Sequence, residues 1–469
     1  MRHHVPVADL RGLLVDIVGD EHVLDGGEAN EDYRHDEALH TPWTAPAFVV
    51  RPQDTEQTAA VLKACDEART PVTARGSGTG LSGSAIPRDN GVLVSFERMN
   101  QVLEIDEDNH MAVVQPGVTL EQLDEVTKQH GLVYPVFPGE SSGSLGGNVN
   151  TNAGGMRAVK YGVTRHQVLG LEAALPSGDV IRTGGKIVKG STGYDLTQLI
   201  LGSEGTLALV TEATLRLYPR PEHSATVLAP FGTLEEVTNA VPRIVSSGVG
   251  PLILEYIDMV TMAAITGNVG LDLGIPQEVK DSALAYLVVV MESRHADRLD
   301  ADVEALSELL TELGAVDLFV LPASAGARLI DAREKAFWVA KAAGADDIVD
   351  VVVPRAAIPE FMATVAELAA THGALVPGCG HAGDGNIHMS VYQSDPEVRD
   401  KVMRGLFEAA MALGGAISGE HGIGMEKRKY FLELEDPVKI ELMRRIKTAF
   451  DPNGTLNPGI LLGDPKDPA

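Results

Sequence analysis

The chain has 469 residues, 44% of them hydrophobic and 4% aromatic, with 38 Lys+Arg against 66 Asp+Glu and a formal net charge of −28. That composition fills about two or three domain cores and excludes a disordered chain, while two cysteines, Cys65 and Cys379, exclude a disulfide-stapled scaffold. So acidic a surface repels a phosphate backbone, and nucleic acid is excluded as a partner.

In chain order, residues 1–45 read as an N-terminal segment with one short helix, Val7–Val18. Residues 46–220 read as a first unit. AFVVRP is strand-like, and DTEQTAAVLKACDEART is an amphipathic helix with Asp54 as its N-cap. PVTARG, GVLVSF, QVLEID and MAVVQPG are short strands, and TLEQLDEVTKQHG is a helix ending at Gly131. Residues 137–162 are expected to form an irregular glycine-rich stretch. Residues 221–415 alternate strand and helix, with strand candidates ATVLAPF, PLILEYID, ALAYLVVVME, DLFVLP and DIVDVVVP. Residues 416–469 form a C-terminal segment. No apolar run approaches the roughly 18 residues that span a bilayer, and the first residues lack a signal-peptide core. A cytoplasmic protein is expected, at most peripheral to the inner membrane face.

Two glycine-rich loops stand out in the first unit. Gly78-Thr79-Gly80-Leu81-Ser82-Gly83 fits G-x-G-x-x-G, but Pro87 and a turn follow where a dinucleotide fold needs a helix. A simple NAD site is therefore not expected, whereas an anion nest of backbone N–H groups is. The second loop gathers glycine, serine and asparagine between Pro138 and Gly155, a poor core and a good lining for a flat polar ligand.

The back half carries Gly380-His381-Ala382-Gly383-Asp384-Gly385-Asn386-Ile387-His388, and Ser418-Gly419-Glu420-His421-Gly422-Ile423-Gly424 thirty residues later. Two imidazoles and a carboxylate are a common ligand set for zinc or a similar divalent ion with open positions. Cys379 fits a buried thiol better than a fourth ligand. His372 reads as a helix C-terminal partner, and Asp384 as the brace of its turn. His3, His4, His35 and His40 are given no role.

PVTARGSGTGLSG, FPGESSGSLGGNVNTNAGG and LILGSEGTLALVTEATLRLYP resemble the FAD-binding domain of the vanillyl-alcohol oxidase/p-cresol methylhydroxylase superfamily. GHAGDGNIH and SGEHGIGMEKR resemble its FAD-linked D-2-hydroxyacid dehydrogenase branch, which includes D-lactate dehydrogenase, D-2-hydroxyglutarate dehydrogenase and the D subunit of glycolate oxidase. The resemblance spans residues 45–460. It implies an α+β fold, with a two-subdomain FAD-binding domain and a ferredoxin-like cap of antiparallel sheet and helices. It assigns Arg75, Gly76, Ser77, Gly78, Thr79, Gly80 and Leu81 to the FAD pyrophosphate. Pro138, Gly139, Ser144, Gly147, Asn148, Asn152 and Gly155 are assigned to the flavin and ribityl chain. Glu204, Gly205 and Val210 fall on the adenine and ribose side, and Asn457 on the terminal segment returning to the flavin. Thr79 stands where some members carry a flavin-linking histidine, so FAD is expected to be non-covalent.

The same resemblance makes His381, His388 and Glu420 ligands of a divalent metal, commonly zinc, and His421 the base. Asn386 is expected beside the substrate, and Arg333 on its carboxylate; an exposed helix pair with a neighbouring acid is the competing reading of Arg333. D-2-hydroxyglutarate enzymes carry a lysine near residues 347–354, and here that stretch reads as apolar. D-lactate or glycolate is therefore favoured as substrate. A D-2-hydroxyglutarate dehydrogenase and the FAD subunit of a multi-subunit glycolate oxidase are the alternatives. A quinone, a cytochrome or an electron-transfer flavoprotein is the expected acceptor, and a homodimer or partner subunits are compatible with the pattern. A non-catalytic metal-binding protein would carry no chromophore.

Overall fold

The computed structural model describes residues 7–463; His3 and His4 lie outside them. The first unit is built on two sheets. In one, β1 (Val23–Asp25) pairs antiparallel with β2 (Phe48–Val50), while β2 and β3 (Val72–Arg75) both run parallel to β4 (Val92–Ser95). Parallel neighbours need a crossover, and the helix Thr55–Ala68 supplies it. Asp54 caps that helix, its Oδ1 accepting from Gln57 N at 2.8 Å. Leu10, Leu14 and Val18 of the helix Val7–Val18 pack with Val61, Leu62 and Cys65 over this sheet. Leu456, far along the chain, is buried in the same core, because the C-terminal segment lies against β3: Val72 N donates to Thr455 O and Asn457 N to Val72 O.

The second sheet is antiparallel. Its strands β5 (Val102–Asp106) and β6 (Met111–Val114) join β8 (Val168–Ala174), β9 (Val180–Gly184) and β10 (Leu209–Arg216) in the order β5-β6-β10-β8-β9. A short ribbon of β7 (Leu132–Val133) and β11 (Tyr218–Pro219) lies beside it. The glycine-rich stretch differs from expectation. Residues Leu145–Thr151 are helical despite Gly146 and Gly147. Ser144 caps the helix, accepting from Gly147 N at 3.3 Å. A Cβ on Gly146 would lie 2.6 Å from the Pro116 ring, so tight packing overrides glycine's low helix propensity.

The second unit is one seven-stranded sheet, antiparallel throughout. Its strands are β12 (His223–Phe231), β13 (Ile253–Asp258), β14 (Ala285–Ser293), β15 (Phe319–Leu321), β16 (Asp347–Val352), β17 (Gly378–His381) and β18 (Asn386–Val391). They run in the order β15-β12-β14-β13-β17-β18-β16. Alternation along each strand sends successive residues to opposite faces. One face carries Val227, Leu254, Tyr256, Leu287, Val349, Val351 and Ile387 into the largest core, under the helices Leu234–Ser246, Ala296–Glu312, Ile358–His372 and Pro396–Ala412. Tyr256, Phe231, Phe361 and Phe407 are fully buried there, each worth about 1.5–3 kcal/mol of apolar burial. The other face carries Glu255, Asp350, Cys379, His381 and His388. The helices Met259–Asn268 and Ala323–Glu334 cover its apolar end.

Candidate active site

A cleft of about 320 Å³ runs between the two units. Both glycine loops line it. They interlock at Ser144, whose Oγ lies 3.3 Å from Ser77 N; a Cβ on Gly76 would sit 1.8 Å from that oxygen. Gly76, Ser77, Gly78, Thr79, Gly80, Leu81, Pro138, Gly139, Ser144, Gly147, Asn148, Glu204, Gly205 and Val210 all face the cleft. The Nδ2 of Asn148 is buried there without a hydrogen-bond partner. A buried orphan donor on a wall of small residues fits a long polar ligand that supplies the missing acceptor.

Four residues assigned to the cofactor are not among those lining the cleft and make structural contacts. Arg75 turns back beneath its own loop: its Nη1 donates to His35 O, and a Cβ on Gly78 would strike its guanidinium. Asn152 ends the helix Leu145–Thr151 at φ 55° and accepts from Arg165 N. Gly155, at φ 113°, passes so close to Phe137 O that a Cβ would lie 1.9 Å from it. Asn457 donates to both Ser84 O and Glu204 O at 2.9 Å, clamping the loops. Glu204 lines the cleft, yet its carboxylate is engaged across the units. It accepts from Ser84 Oγ at 2.5 Å and from the N–H groups of Ile423 and Gly424 at 2.8 Å. Burial raises its pKa, and those donors oppose the shift. Asp36, which the sequence did not single out, also lines the cleft. It accepts from Ala38 N and Ala85 N, and burial pushes its pKa up to about 6.

At the sheet wall of the cleft, His381, His388 and Glu420 come together, with one ligand atom of each within 4.8 Å of the others. Glu420 Oε1 is 3.2 Å from His381 Nε2 and 3.3 Å from His388 Nε2. Its Oε2 is buried with no partner. Glu255 Oε1 lies 2.5 Å from His381 Nδ1; donation there leaves the Nε2 lone pair facing Glu420. Three ligand atoms, two imidazole nitrogens and a carboxylate oxygen, then converge. Burial would lower the pKa of His381, but Glu255 and Glu420 raise it to about 10. The donor set, its orphan oxygen and its braced imidazole fit a divalent ion.

Beside it, Asp350 organises the second motif. Its Oδ2 accepts from Ser418 Oγ (2.8 Å) and from the N–H groups of Gly419, Glu420 and His421 (3.1, 3.1 and 2.8 Å). His388 and His421 stack at 5.3 Å above it. Asp350, His388 and His421 also converge, but a carboxylate already holding so many donors is a poor metal ligand. Burial would raise the Asp350 pKa; His421, Lys427 and His388 hold it well below the usual range. His421 is driven the other way: burial pulls its pKa down to about 4 and favours the neutral ring, although Asp350 pulls it up.

Arg333 is buried, not exposed, and its Nη2 is 2.8 Å from Glu255 Oε2. Its Nε has no hydrogen-bond partner, and the residue lines the cleft. Asn386 departs from expectation. Its amide donates to Asp350 Oδ1 and Val351 O, both at 2.8 Å, so it braces the wall from within the strand pair and does not face the cleft. The stretch 347–354 is likewise not simply apolar, because Asp350 is its centre. Asp384 accepts from Asn386 N across its turn. Glu255 and Asp350 were the residues sequence reading missed; each is an acid in the interior of an otherwise apolar strand whose other acid stands at its end, and that was the available signal.

Two family descriptions match the chain: "FAD binding domain" over residues 46–184 and "FAD linked oxidases, C-terminal domain" over residues 220–461. The chain belongs to the FAD-linked oxidase family. It is 58% identical over 458 residues to an "Uncharacterized FAD-linked oxidoreductase" of Mycobacterium tuberculosis, covering 98% of this chain and 100% of that one. It is 37% identical to a D-lactate dehydrogenase of Anaerostipes hadrus, covering 94% and 95%. It is 36% identical to a glycolate oxidase subunit of Bacillus subtilis, covering 96% of both. In fold it matches p-cresol methylhydroxylase with a TM-score of 0.81 over 98% of each chain, at 18% identity. The α+β architecture with an FAD-binding unit and an antiparallel cap is therefore that of the vanillyl-alcohol oxidase type. The protein is an FAD-linked oxidoreductase. Among the described residues, no helix is long and apolar enough to cross a membrane.

Proposed function

We propose that this FAD-linked oxidoreductase is a metal-dependent dehydrogenase of D-2-hydroxy acids, passing electrons to an acceptor other than NAD. The observation that carries the reading is the convergence of His381, His388 and Glu420, with neutral His421 stacked beside them, on the cleft that both glycine loops line. The names of the D-lactate and glycolate relatives support the substrate chemistry. The glycine loops would hold FAD without a covalent link, Thr79 offering no imidazole.

Bound FAD would accept the two electrons of the substrate Cα–H bond, and a divalent ion on His381, His388 and Glu420 would polarise the hydroxyl. The chain's own groups do the rest. Arg333, ion-paired to Glu255, offers its unpaired Nε to the substrate carboxylate. His421 takes the hydroxyl proton on its ring; starting neutral, it is competent to do so. Asp350 holds the backbone of residues 419–421, and so sets where Glu420 and His421 point. The 2-oxo acid leaves with its carboxylate intact.

Anaerobic mixing of the purified flavoprotein with D- and L-2-hydroxy acids tests this. Loss of flavin absorbance with the D series is expected; an unchanged spectrum with every acid ends the reading.

A further inference from the structure

The substrate's side chain must lie against whatever adjoins the proposed ligands. Strand register identifies that neighbour. Asp350 pairs with His388, and two residues along the same face Ile348 pairs with Ser390. Both line the cleft. The helix Ala336–Ala342 contributes Phe337 and Ala340 to the same cleft, and the helix Met259–Asn268 contributes Ala264 and Ile265. Ile348, Phe337, Ala340, Ala264 and Ile265 give the cleft apolar lining, interspersed with Thr261, Ser390 and Tyr392. Basic side chains are scarce along it: among the described residues lining the cleft, the only ones are Arg333, His381, His388 and His421. Arg333 is already held by Glu255. No lysine is among the described residues lining the cleft, so a second substrate carboxylate would find no unclaimed cation there.

We propose that the preferred substrates are D-2-hydroxy monocarboxylic acids with an apolar side chain larger than methyl, straight or branched, seated against Ile348, Phe337, Ala340 and Ile265. This rests on the dehydrogenase reading above and goes beyond it in naming the substrate class. Glycolate and D-lactate leave that wall wetted. Each methylene added against it is worth about fourfold in binding. A terminal carboxylate in the same place is left without a partner.

The test is kcat/KM of the flavoprotein, with an artificial dye as acceptor, across glycolate, D-lactate, D-2-hydroxybutyrate, D-2-hydroxyisocaproate and D-2-hydroxyglutarate. A rise of about fourfold per methylene is expected, with D-2-hydroxyglutarate far below the apolar acid of matching length. The dissociation constants of the matching 2-oxo acids, read from flavin absorbance, should fall in the same order without any turnover. A flat or declining series from D-lactate upward, with the flavin still reduced, overturns the side-chain inference alone. Reduction by none of the acids overturns the dehydrogenase reading and this inference with it. Ile348→Lys should raise D-2-hydroxyglutarate and depress D-2-hydroxyisocaproate, each by about tenfold or more. Should that variant lose its flavin, Ile348→Ala carries the same test through a smaller loss confined to the longer acids; equal effects on D-lactate and D-2-hydroxyisocaproate would count against the proposal.

Discussion

The two walls of the cleft bury carboxylates in opposite ways. On the glycine-loop wall, Asp36 and Glu204 receive their hydrogen bonds from backbone N–H groups and a hydroxyl, and both pKa values are raised by burial. On the sheet wall, Glu255, Asp350 and Glu420 are as buried, yet all three are held low, because imidazoles, Arg333 and Lys427 outweigh the desolvation. Burial by itself therefore decides little; the cations within reach decide the charge state. One wall shapes a site for a ligand with backbone and small side chains. The other concentrates charge where a reaction would need it.

Removing the centre of the charged wall should have the largest effect. Asp350→Ala leaves Lys427 and three backbone N–H groups unmatched in the interior and removes one of the two acceptors of the Asn386 amide. A loss of about 3–5 kcal/mol in urea unfolding is expected. A variant as stable as the parent would mean that the cluster is not the tightly coupled unit described here.

His421→Ala removes a ring and leaves the rest of that wall in place. Flavin content should be unchanged, and the rate of flavin reduction by substrate should fall by about 10²–10⁴, the ordinary worth of a general base. Stopped-flow absorbance reads this directly. Undiminished bleaching would place the base elsewhere.

The contrast was only partly legible in the sequence. The glycine loops and both histidine motifs stand out because their unusual residues are neighbours along the chain. Five strands of residues 221–415 follow from alternation, while β17 and β18, inside the Gly/His motif, carry too little of it to be read as strands. The strand order β15-β12-β14-β13-β17-β18-β16 does not follow from it, since all of its pairings except the β17–β18 hairpin join segments far apart. Glu255 and Asp350 escaped for the same reason: their cations arrive from other elements, Arg333 from a helix and Lys427 from the C-terminal segment. Asn386 sits in the expected motif, yet its amide turns onto Asp350, a direction that spacing alone does not encode. The helix Leu145–Thr151 was hidden by its own glycines.

Glu255→Gln sharpens the comparison at smaller cost. Gln keeps the size and one acceptor but loses the charge that holds His381 and Arg333. Metal affinity is expected to fall about 10–100-fold, as for other losses behind a ligating histidine. Titration with zinc, followed by metal analysis after dialysis, measures it. Glu255→Asp should recover part of the loss, which a purely space-filling role would not predict. Unchanged affinity would remove the Glu255–His381 contact from any account of the metal.

The smallest expected effect lies on the other wall. Asp36 ionises at about 6 in the folded chain and near 4 when unfolded, so between these values the folded state holds the extra proton. Stability contributed by that proton is present below the unfolded pKa and is lost as pH rises through the folded one. Asp36→Asn cannot titrate. Its stability relative to the parent should therefore improve from pH 4 to pH 7, by on the order of 2 kcal/mol at most. Thermal unfolding of the two proteins at matched pH gives the difference. A gap that stays constant with pH would show that Ala38, Ala85 and the nearby Arg75 hold the carboxylate charged, and that both walls handle buried acids alike.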